Sequence, residues 1–349
     1  MALISTIQTA LFVGIGNWIF EINGMFGDYW AILFSVSLFG NLLGLNISAT
    51  FNSAVTIYIL IPFLVIPQII FSGVMVKYDN MNPKIATSEQ VPFIGDIMSA
   101  RWAFEALAVN QFKNNTYQTN FFELDKKMAD ITYKKDYWLD RMNGKIDSLG
   151  KGEGNDYTRE SIIREMKKEN LIPSSIITIL NNKPSLSAQL DISKQLKAIT
   201  KGYKSDLIQQ FKTVKSAKDQ LINELNNTPE KAESFKKLKQ ENYNEQLEQM
   251  LAIPGSTQMI VEQNGAITRL YKPIYMEGNP SSFVRSPLFV SKKSIGGKMY
   301  STYSVNMGVI WLMISVLTIS LYFDVWEKAL AKADKLSDRT KVWIRNFQK

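Results

Sequence analysis

The first 76 residues contain no Lys or Arg, and this absence constrains the fold more than any other feature. The only acidic residues among them are Glu21 and Asp28. A charge at the centre of a bilayer costs about 2.5–3.5 kcal/mol on insertion scales, so a long stretch without basic residues is typical of membrane-spanning segments. Residues 77–300, in contrast, are densely charged and rich in Lys, which indicates a soluble region between membrane segments.

Four segments are apolar over the length that a spanning helix requires, which is about 20 residues. They are residues 2–20, 29–49, 54–76 and 303–323. Short loops join the first three, which are therefore expected to be antiparallel neighbours. Asn52 and Ser53 are typical of an N-cap for the third segment.

The end of the chain sets the expected orientation. The tail after the last span is rich in basic residues, and the positive-inside rule places such a tail in the cytoplasm. Counting back places residues 78–300 outside and the N-terminus inside. Lys292, Lys293 and Lys298 argue for the opposite orientation, but they lie in a long domain, where the rule is weak. We therefore expect a multi-pass protein of the cytoplasmic (inner) membrane, with residues 78–300 extracytoplasmic.

The composition argues against several classes of function. The sequence has no Cys and no His, which excludes thiolate and imidazole metal sites, catalytic Cys, Ser-His triads and disulfides. No phosphate loop of the form G-x-x-x-x-G-K-[ST] is present. The net charge of +8 comes from Lys residues that are spread along the chain, which argues against nucleic-acid binding. We expect no enzyme activity, catalytic residue, metal site or cofactor in this chain.

The charged region shows helical periodicity. Apolar residues at steps of three, four or seven occur in two stretches, Phe121, Leu124, Met128, Ile131, Trp138, Met142 and Ile146, then Leu207, Phe211, Val214, Leu221 and Leu225. The second stretch is followed by a turn at residues 226–229 and a charged helix, which together predict a helical hairpin or short coiled coil. Asn264-Gly265 between two apolar runs predicts a β-hairpin.

The predicted fold is thus a membrane all-α protein. It has four transmembrane helices (three N-terminal, one C-terminal) and a large, mainly helical extracytoplasmic insert containing a small β-hairpin. The predicted parts are three transmembrane helices in 1–77, an external re-entrant or gate segment in 78–117, an extracytoplasmic helical domain in 118–300, the last transmembrane helix in 301–325, and a basic cytoplasmic tail in 326–349.

Polar residues within the predicted spans suggest where function lies. Ser37, Asn41, Gly44 and Ser48 share one face of the second span, which indicates either helix packing or the lining of a substrate path. The third span contains Pro62, Pro67 and Gln68 and closes in Ser72-Gly73. Prolines remove helix hydrogen bonds, so this span is either a hinge near the outer face or a structural helix with a kink.

Three stretches carry a resemblance to a known family. Residues 44–55 read GLNISATFNSAV, residues 61–73 read IPFLVIPQIIFSG, and residues 101–107 read RWAFEAL. As an ordered set they resemble the last helices of type-2 ABC exporter permeases, the class that contains the White-type (G-subfamily) half-transporters. The sequences of these stretches are most similar to those of fused ATPase–permease proteins of Bacteroidetes-type bacteria.

The resemblance implies a permease that forms a translocation path and an external gate. An ATPase domain, fused upstream or separate, would bind ATP and Mg²⁺ and power transport, and a second permease half would complete a homodimer. The family's ATPase domain and two earlier spans are not in this sequence, so we expect the C-terminal piece of a longer transporter or a split gene product. The candidate path or gate residues are Asn41, Asn46, Gln68, Ser72, Pro67 and Gly73. Arg101 and Glu105 are expected to fasten the external segment as an ion pair.

A second reading is a membrane-anchored envelope scaffold whose external helical domain binds a partner protein. An anchor in the bilayer needs apolar length but no polar faces. The polar residues of the second and third spans therefore favour the transporter.

Overall fold

The computed structural model describes residues 1–51, 53–75, 78, 81, 91–252, 259–263, 265–279 and 284–332. The chain forms two compact units. The membrane unit comprises Met1–Gln111 and Gly278–Lys349, and the insert unit comprises Phe112–Glu277. These limits differ from the predicted boundaries at 118 and 300, because the segment before the last apolar helix belongs with the membrane unit.

The described helices in chain order are α1 (Ala2–Ile19), α2 (Phe26–Thr50), α3 (Ala54–Ile70), α4 (Phe93–Ile97), α5 (Ser99–Asn114), α6 (Phe122–Thr132), α7 (Leu139–Gly150), α8 (Asp156–Lys168), α9 (Ser174–Asn181), α10 (Leu186–Leu225), α11 (Pro229–Asn242), α12 (Glu245–Ala252) and α13 (Thr302–Tyr322). The strands are β1 (Ile260–Gln263), β2 (Ala266–Arg269), β3 (Lys292–Ile295) and β4 (Lys298–Ser301). They form two antiparallel hairpins, β1–β2 and β3–β4.

Three helices among the described residues, α1, α2 and α13, are long and apolar enough to cross a membrane. The third predicted span forms the apolar helix α3, which is shorter because it ends at Ile70, while the chain turns at Phe71 and Ser72. Ser53 occupies the predicted N-cap position, but its side chain makes no capping hydrogen bond. The predicted partner in that cap, Asn52, lies outside the described residues.

Helix α2 packs against both α1 and α13. Its Ile32 is fully buried, and so is Ile310 of α13. The same apolar cluster contains Trp102 and Ala106 of α5, so the helix that carries the predicted ion pair packs on the membrane helices. Helix α3 differs from this bundle, since none of its residues is buried.

The insert unit has an apolar core of its own. Helices α6 and α7 are joined without a break by a π-helical turn, Tyr133–Trp138, which is consistent with the predicted apolar seam through residues 121–146. A π-turn adds one residue to the repeat and so shifts the apolar face of α7. That face forms the buried core with residues of α6, the π-turn, α8, α9, α10 and β2. The core residues are Ile131, Trp138, Leu139, Met142, Ile146, Leu149, Ile162, Met166, Ile176, Leu180, Ile192, Leu196, Leu207 and Ile267.

Two of the predicted turns in the insert unit are present. The chain turns after α10, where Thr228 accepts a hydrogen bond from Lys231 N and so caps α11. Strands β1 and β2 pair with Ile260 opposite Arg269, and Gly265 between them has φ +74°. The other residue of the predicted Asn-Gly turn, Asn264, lies outside the described residues.

Candidate functional site

The C-terminal end of α3 is tied to the start of α5. Gln68 Oε1 accepts a hydrogen bond from Ala100 N at 3.2 Å and lies 3.5 Å from Ser99 Oγ. The first N–H groups of a helix have no partner within it. Gln68 therefore caps α5 through its amide oxygen.

The turn that follows α3 is held by its own side chains. Ser72 Oγ donates to Ile69 O at 2.7 Å and accepts from Val74 N at 3.2 Å. Tyr78 donates from its hydroxyl to Phe71 O at 2.6 Å. The carbonyl oxygen of Pro67 accepts a hydrogen bond from Phe71 N at 2.9 Å.

Gly73 is confined by both conformation and space. Its φ of +84° lies in the left-handed region, which side chains other than glycine rarely adopt. A Cβ atom at this position would lie 2.8 Å from Leu288 Cδ2. The turn after α3 therefore requires glycine.

The two asparagines of α2 contact different helices. Asn41 Nδ2 donates to Ser5 Oγ of α1 at 2.7 Å. Asn46 is buried and donates to Leu317 O of α13 at 3.0 Å, as well as to Leu42 O of its own helix. These bonds are helix–helix contacts, the packing role that small and amide residues have in membrane bundles.

Glu105 of α5 is the centre of a buried polar cluster. Its side chain is fully buried and accepts hydrogen bonds from Lys293 Nζ at 2.6 Å, Asn306 Nδ2 at 2.9 Å and the backbone N of Phe289 at 3.1 Å. Lys293 also donates to Asn306 Oδ1 at 3.0 Å. One carboxylate thereby joins α5, strand β3 and the N-terminal part of α13.

Arg101 lies one helical turn before Glu105 and is also fully buried. Its NH1 is 3.6 Å from Glu105 Oε2 and its NH2 is 3.6 Å from Asp96 Oδ1. These distances are ion-pair distances, and none of the three guanidinium nitrogens makes a hydrogen bond to the part of the chain that the structure describes. The guanidinium carbon lies 3.9 Å from the ring centre of Trp102.

A second ion pair flanks this cluster. Arg285 Nε donates to Asp96 Oδ2 at 3.0 Å, and Arg285 NH2 donates to Val91 O at 3.2 Å. Asp96 therefore stands between Arg285 and Arg101, as Glu105 stands between Lys293 and Arg101. Three cations and two carboxylates meet at this point.

The electrostatics favour the ionised form of Glu105. Burial alone raises the pKa of this carboxyl, but the Lys293 ammonium and the Arg101 guanidinium together hold its pKa below the usual value. Burial lowers the pKa of Lys293 to about 8, although Glu105 opposes this shift. At Asp96 burial raises the pKa, against the opposing effect of Arg101.

The predicted site residues thus fall into three places. Asn41 and Asn46 lie in contacts between membrane helices, whereas Pro67, Gln68, Ser72 and Gly73 lie at the C-terminal end of α3 and in the turn after it, and Gln68 alone among them bonds to α5. Arg101 and Glu105 lie in the buried cluster, with Asp96, Arg285, Lys293 and Asn306 as further members. Within the described ranges, no group of three or more Asp and Glu side chains could hold a metal ion.

Sequence reasoning missed the strongest partners of Glu105. Lys293 is far away in the chain and bears on the sequence prediction only through the orientation, and Asn306 lies within a predicted apolar span. A lone amide near the start of a span is the one signal available, because hydrocarbon cannot satisfy it.

Comparison with known proteins identifies one family. Residues 1–112, about one third of the chain, match the model of the ABC-2 type transporter family. No curated protein matches the chain, and no solved structure matches it. With three apolar helices of spanning length, the match supports a multi-pass membrane protein. It supports an ABC-2 permease, the membrane component of an ABC transporter, for the residues it covers.

Proposed function

We propose that this chain is the permease portion of an ABC exporter and forms part of its translocation path and external gate. Transport is powered by an ATPase domain, on the same polypeptide or a partner, where ATP and Mg²⁺ bind. The functional permease contains a second half, in the form of a homodimer of the White-type arrangement. The protein lies in the cytoplasmic membrane of a bacterium, with the insert unit on the outer side.

One observation supports the proposal of a gate at α3. Helix α3 contains two prolines and has no buried residue, and at its C-terminal end Gln68 bonds to the start of α5. A spanning helix without buried residues is free of the close packing that holds α2 between its neighbours. Movement of α3 is then transmitted to α5 through Gln68, and α5 carries Arg101 and Glu105 of the buried cluster.

The experiment replaces Gln68 by Leu in the complete transporter assembly. The substitution removes an amide from an apolar helix, so a pure anchor would keep its membrane abundance. In a gate, the loss of the cap on α5 separates the movement of α3 from that of α5. We expect normal abundance with reduced efflux, or ATP hydrolysis that is no longer coupled to efflux.

Thr56→Val is the matched control. Thr56 lies on the same helix, is exposed, and has a side chain of nearly the same size as Val. Efflux should be unchanged in this variant. Normal abundance and normal efflux in Gln68→Leu would remove Gln68 from the gate.

The scaffold remains a second candidate because the insert unit has an apolar core of its own. Its external helices would bind an envelope protein. Deletion of the gene distinguishes the two functions. Loss of envelope integrity with no change in the export of any compound favours the scaffold, and loss of export favours the permease.

A further inference from the structure

Residues 284–301, which we call the strap, contact α4 and α5 through two ion pairs. Arg285 of the strap bonds to Asp96 at 3.0 Å, and Lys293 of the strap bonds to Glu105 at 2.6 Å. Backbone bonds support both contacts, since Val91 N donates to Ser286 O and Phe289 N donates to Glu105. The strap leads directly into α13, which begins at Thr302.

Arg101 is placed between the same two carboxylates but is bonded to neither. It lies 3.6 Å from each, whereas charge-assisted hydrogen bonds measure about 2.7–2.9 Å. A fully buried guanidinium that makes no hydrogen bond, as Arg101 makes none to the described residues, destabilises the state that contains it. The carboxylate oxygen of Glu105 nearest to Arg101 is already bonded to Lys293 and Asn306.

The strap itself contains two features that disfavour its observed contact with α4 and α5, which we call the docked state. Val284 has φ +62° and Phe289 has φ +68°, a region that is unfavourable for β-branched and bulky side chains. Ser286 is buried, and its hydroxyl has no hydrogen-bond partner in the described part of the chain. These features are independent of the charges, and both raise the free energy of the observed contact between the strap and α5.

We propose that the strap is a reversible latch and that Arg101 is the stand-by cation for both carboxylates. In the docked state, Arg285 and Lys293 occupy Asp96 and Glu105. When the strap leaves, the guanidinium moves by less than about 1 Å and bonds to both carboxylates, a bridge for which its planar fork is suited. Asp96, Arg101 and Glu105 all lie on α4 and α5, so these helices keep their charges paired without the strap.

The latch predicts that removal of Arg101 changes the release of the strap in an unexpected direction. If Arg101 only fastened the segment, its removal would loosen the strap. If Arg101 is the stand-by cation, it stabilises the released state and destabilises the docked one. Its removal then keeps the strap docked for longer. The latch goes beyond the proposed transport function and does not require it, because its test measures no transport.

The test uses the absence of cysteine in the sequence. Ser286→Cys places one thiol where the docked strap buries it, so labelling by a maleimide in the full-length protein requires release. We expect Arg101→Met in this background to slow labelling between about fivefold and thirtyfold, the effect of one to two kcal/mol. Lys293→Met should accelerate labelling, because it removes the strap's own bond to Glu105.

Lys298→Cys is the matched control, because Lys298 is on the same strap and is exposed. Its labelling rate should be the same with and without Arg101. Unchanged or faster labelling of Ser286→Cys in the Arg101→Met variant overturns the latch. If that variant does not reach the membrane, Arg101→Lys replaces it. This substitution keeps the charge but removes the fork, so it should also slow labelling, and an equal or higher rate overturns the latch in the same way.

Discussion

Glu105 in the membrane unit and Glu165 in the insert unit are both buried carboxylates, but their surroundings differ. Glu105 accepts bonds from an ammonium, an amide and a backbone N–H, with a second cation 3.6 Å away. Glu165 lies beside an apolar core and accepts one side-chain bond among the described residues, from Trp138 Nε1 at 2.8 Å. One carboxylate balances buried charges, while the other satisfies a single indole.

This difference indicates that burial alone does not identify a functional charge. Glu165 and Trp138 lie on two neighbouring segments of one core, and their bond satisfies a polar group that the fold places there. The partners of Glu105 come from α5, from the strap and from α13. A charge that joins three elements of the chain changes its partners when one element moves, which a structural hydrogen bond within a core does not do.

The largest expected effect comes from the same substitution at both positions. Glu105→Gln leaves Lys293 and Arg101 buried without their common carboxylate, which costs about 3–5 kcal/mol. Glu165→Gln keeps an oxygen acceptor for Trp138, so its cost should be under about 1 kcal/mol. Amide hydrogen exchange of α5 should accelerate by about 100-fold or more in the first variant.

The Glu165→Gln variant is the control, and its effect is measured by the amide hydrogen exchange of α7 and α8. Equal acceleration in both variants would mean that the two carboxylates have the same role. The double variant Glu105→Gln/Lys293→Met adds a check. It should be less destabilised than the sum of its parts, because the two residues bond to each other.

The next effect is a dependence on pH that the lowered pKa of Glu105 produces in the membrane unit. The pKa of Glu105 is lower in the folded protein than its ordinary value of 4.5. A carboxyl of this kind contributes stability that is fully present above about pH 4.5 and is lost as the pH falls through the lower folded value. The stability difference between the wild type and Glu105→Gln should therefore shrink below about pH 4.5.

Denaturant unfolding of the full-length protein in detergent, followed by exchange of α5, measures this difference at each pH. A difference that stays constant down to pH 3 would show that the Glu105 carboxylate is not stabilised by its two cations. Protonation of carboxyl groups outside the cluster cancels in the comparison, since both variants contain them.

The two regions also differ in how far sequence predicts them. Periodicity predicted the seam of α6 and α7, and turn residues predicted the turn after α10 and the β1–β2 hairpin, because each of these features depends on residues close together in the chain. It did not place β3–β4, whose strands are only four residues each and lack alternating apolar residues. Of the cluster around Glu105, the sequence predicted the pair with Arg101 but not the other members. Arg101 is four residues away from Glu105, whereas Lys293 and Asn306 are brought to it only by the tertiary fold.

Glycine substitutions give an intermediate effect, with opposite signs in the two regions. Gly73→Ala in the membrane unit forces a side chain into the left-handed region and against Leu288, at a cost of about 1–2 kcal/mol. Gly202→Ala lies in the open middle of α10, where no atom is within 4 Å of a new Cβ. It should stabilise that helix by about 0.5–1 kcal/mol. Hydrogen exchange of residues 68–75 and of α10 measures both, and a stabilising Gly73→Ala would contradict the tight turn after α3.

The smallest expected effect compares one hydrogen bond in each region. Asn41 bonds to Ser5 between membrane helices at 2.7 Å, and Thr200 bonds to Asn143 between helices of the insert unit at 2.9 Å. An amide in hydrocarbon has no water to bond to, but the unfolded chain in the membrane also finds partners, so the net gain from the bond is small. Double-mutant cycles with Asn41→Leu/Ser5→Ala and Thr200→Val/Asn143→Ala should therefore give similar coupling, about 0.6 kcal/mol in the membrane and about 1 kcal/mol in the insert unit. Coupling above about 2 kcal/mol for Asn41 would exceed the membrane range and mark it as a rigid packing residue. Weak coupling together with reduced efflux in Asn41→Leu would instead place Asn41 on the transport path, because packing would then not explain the loss.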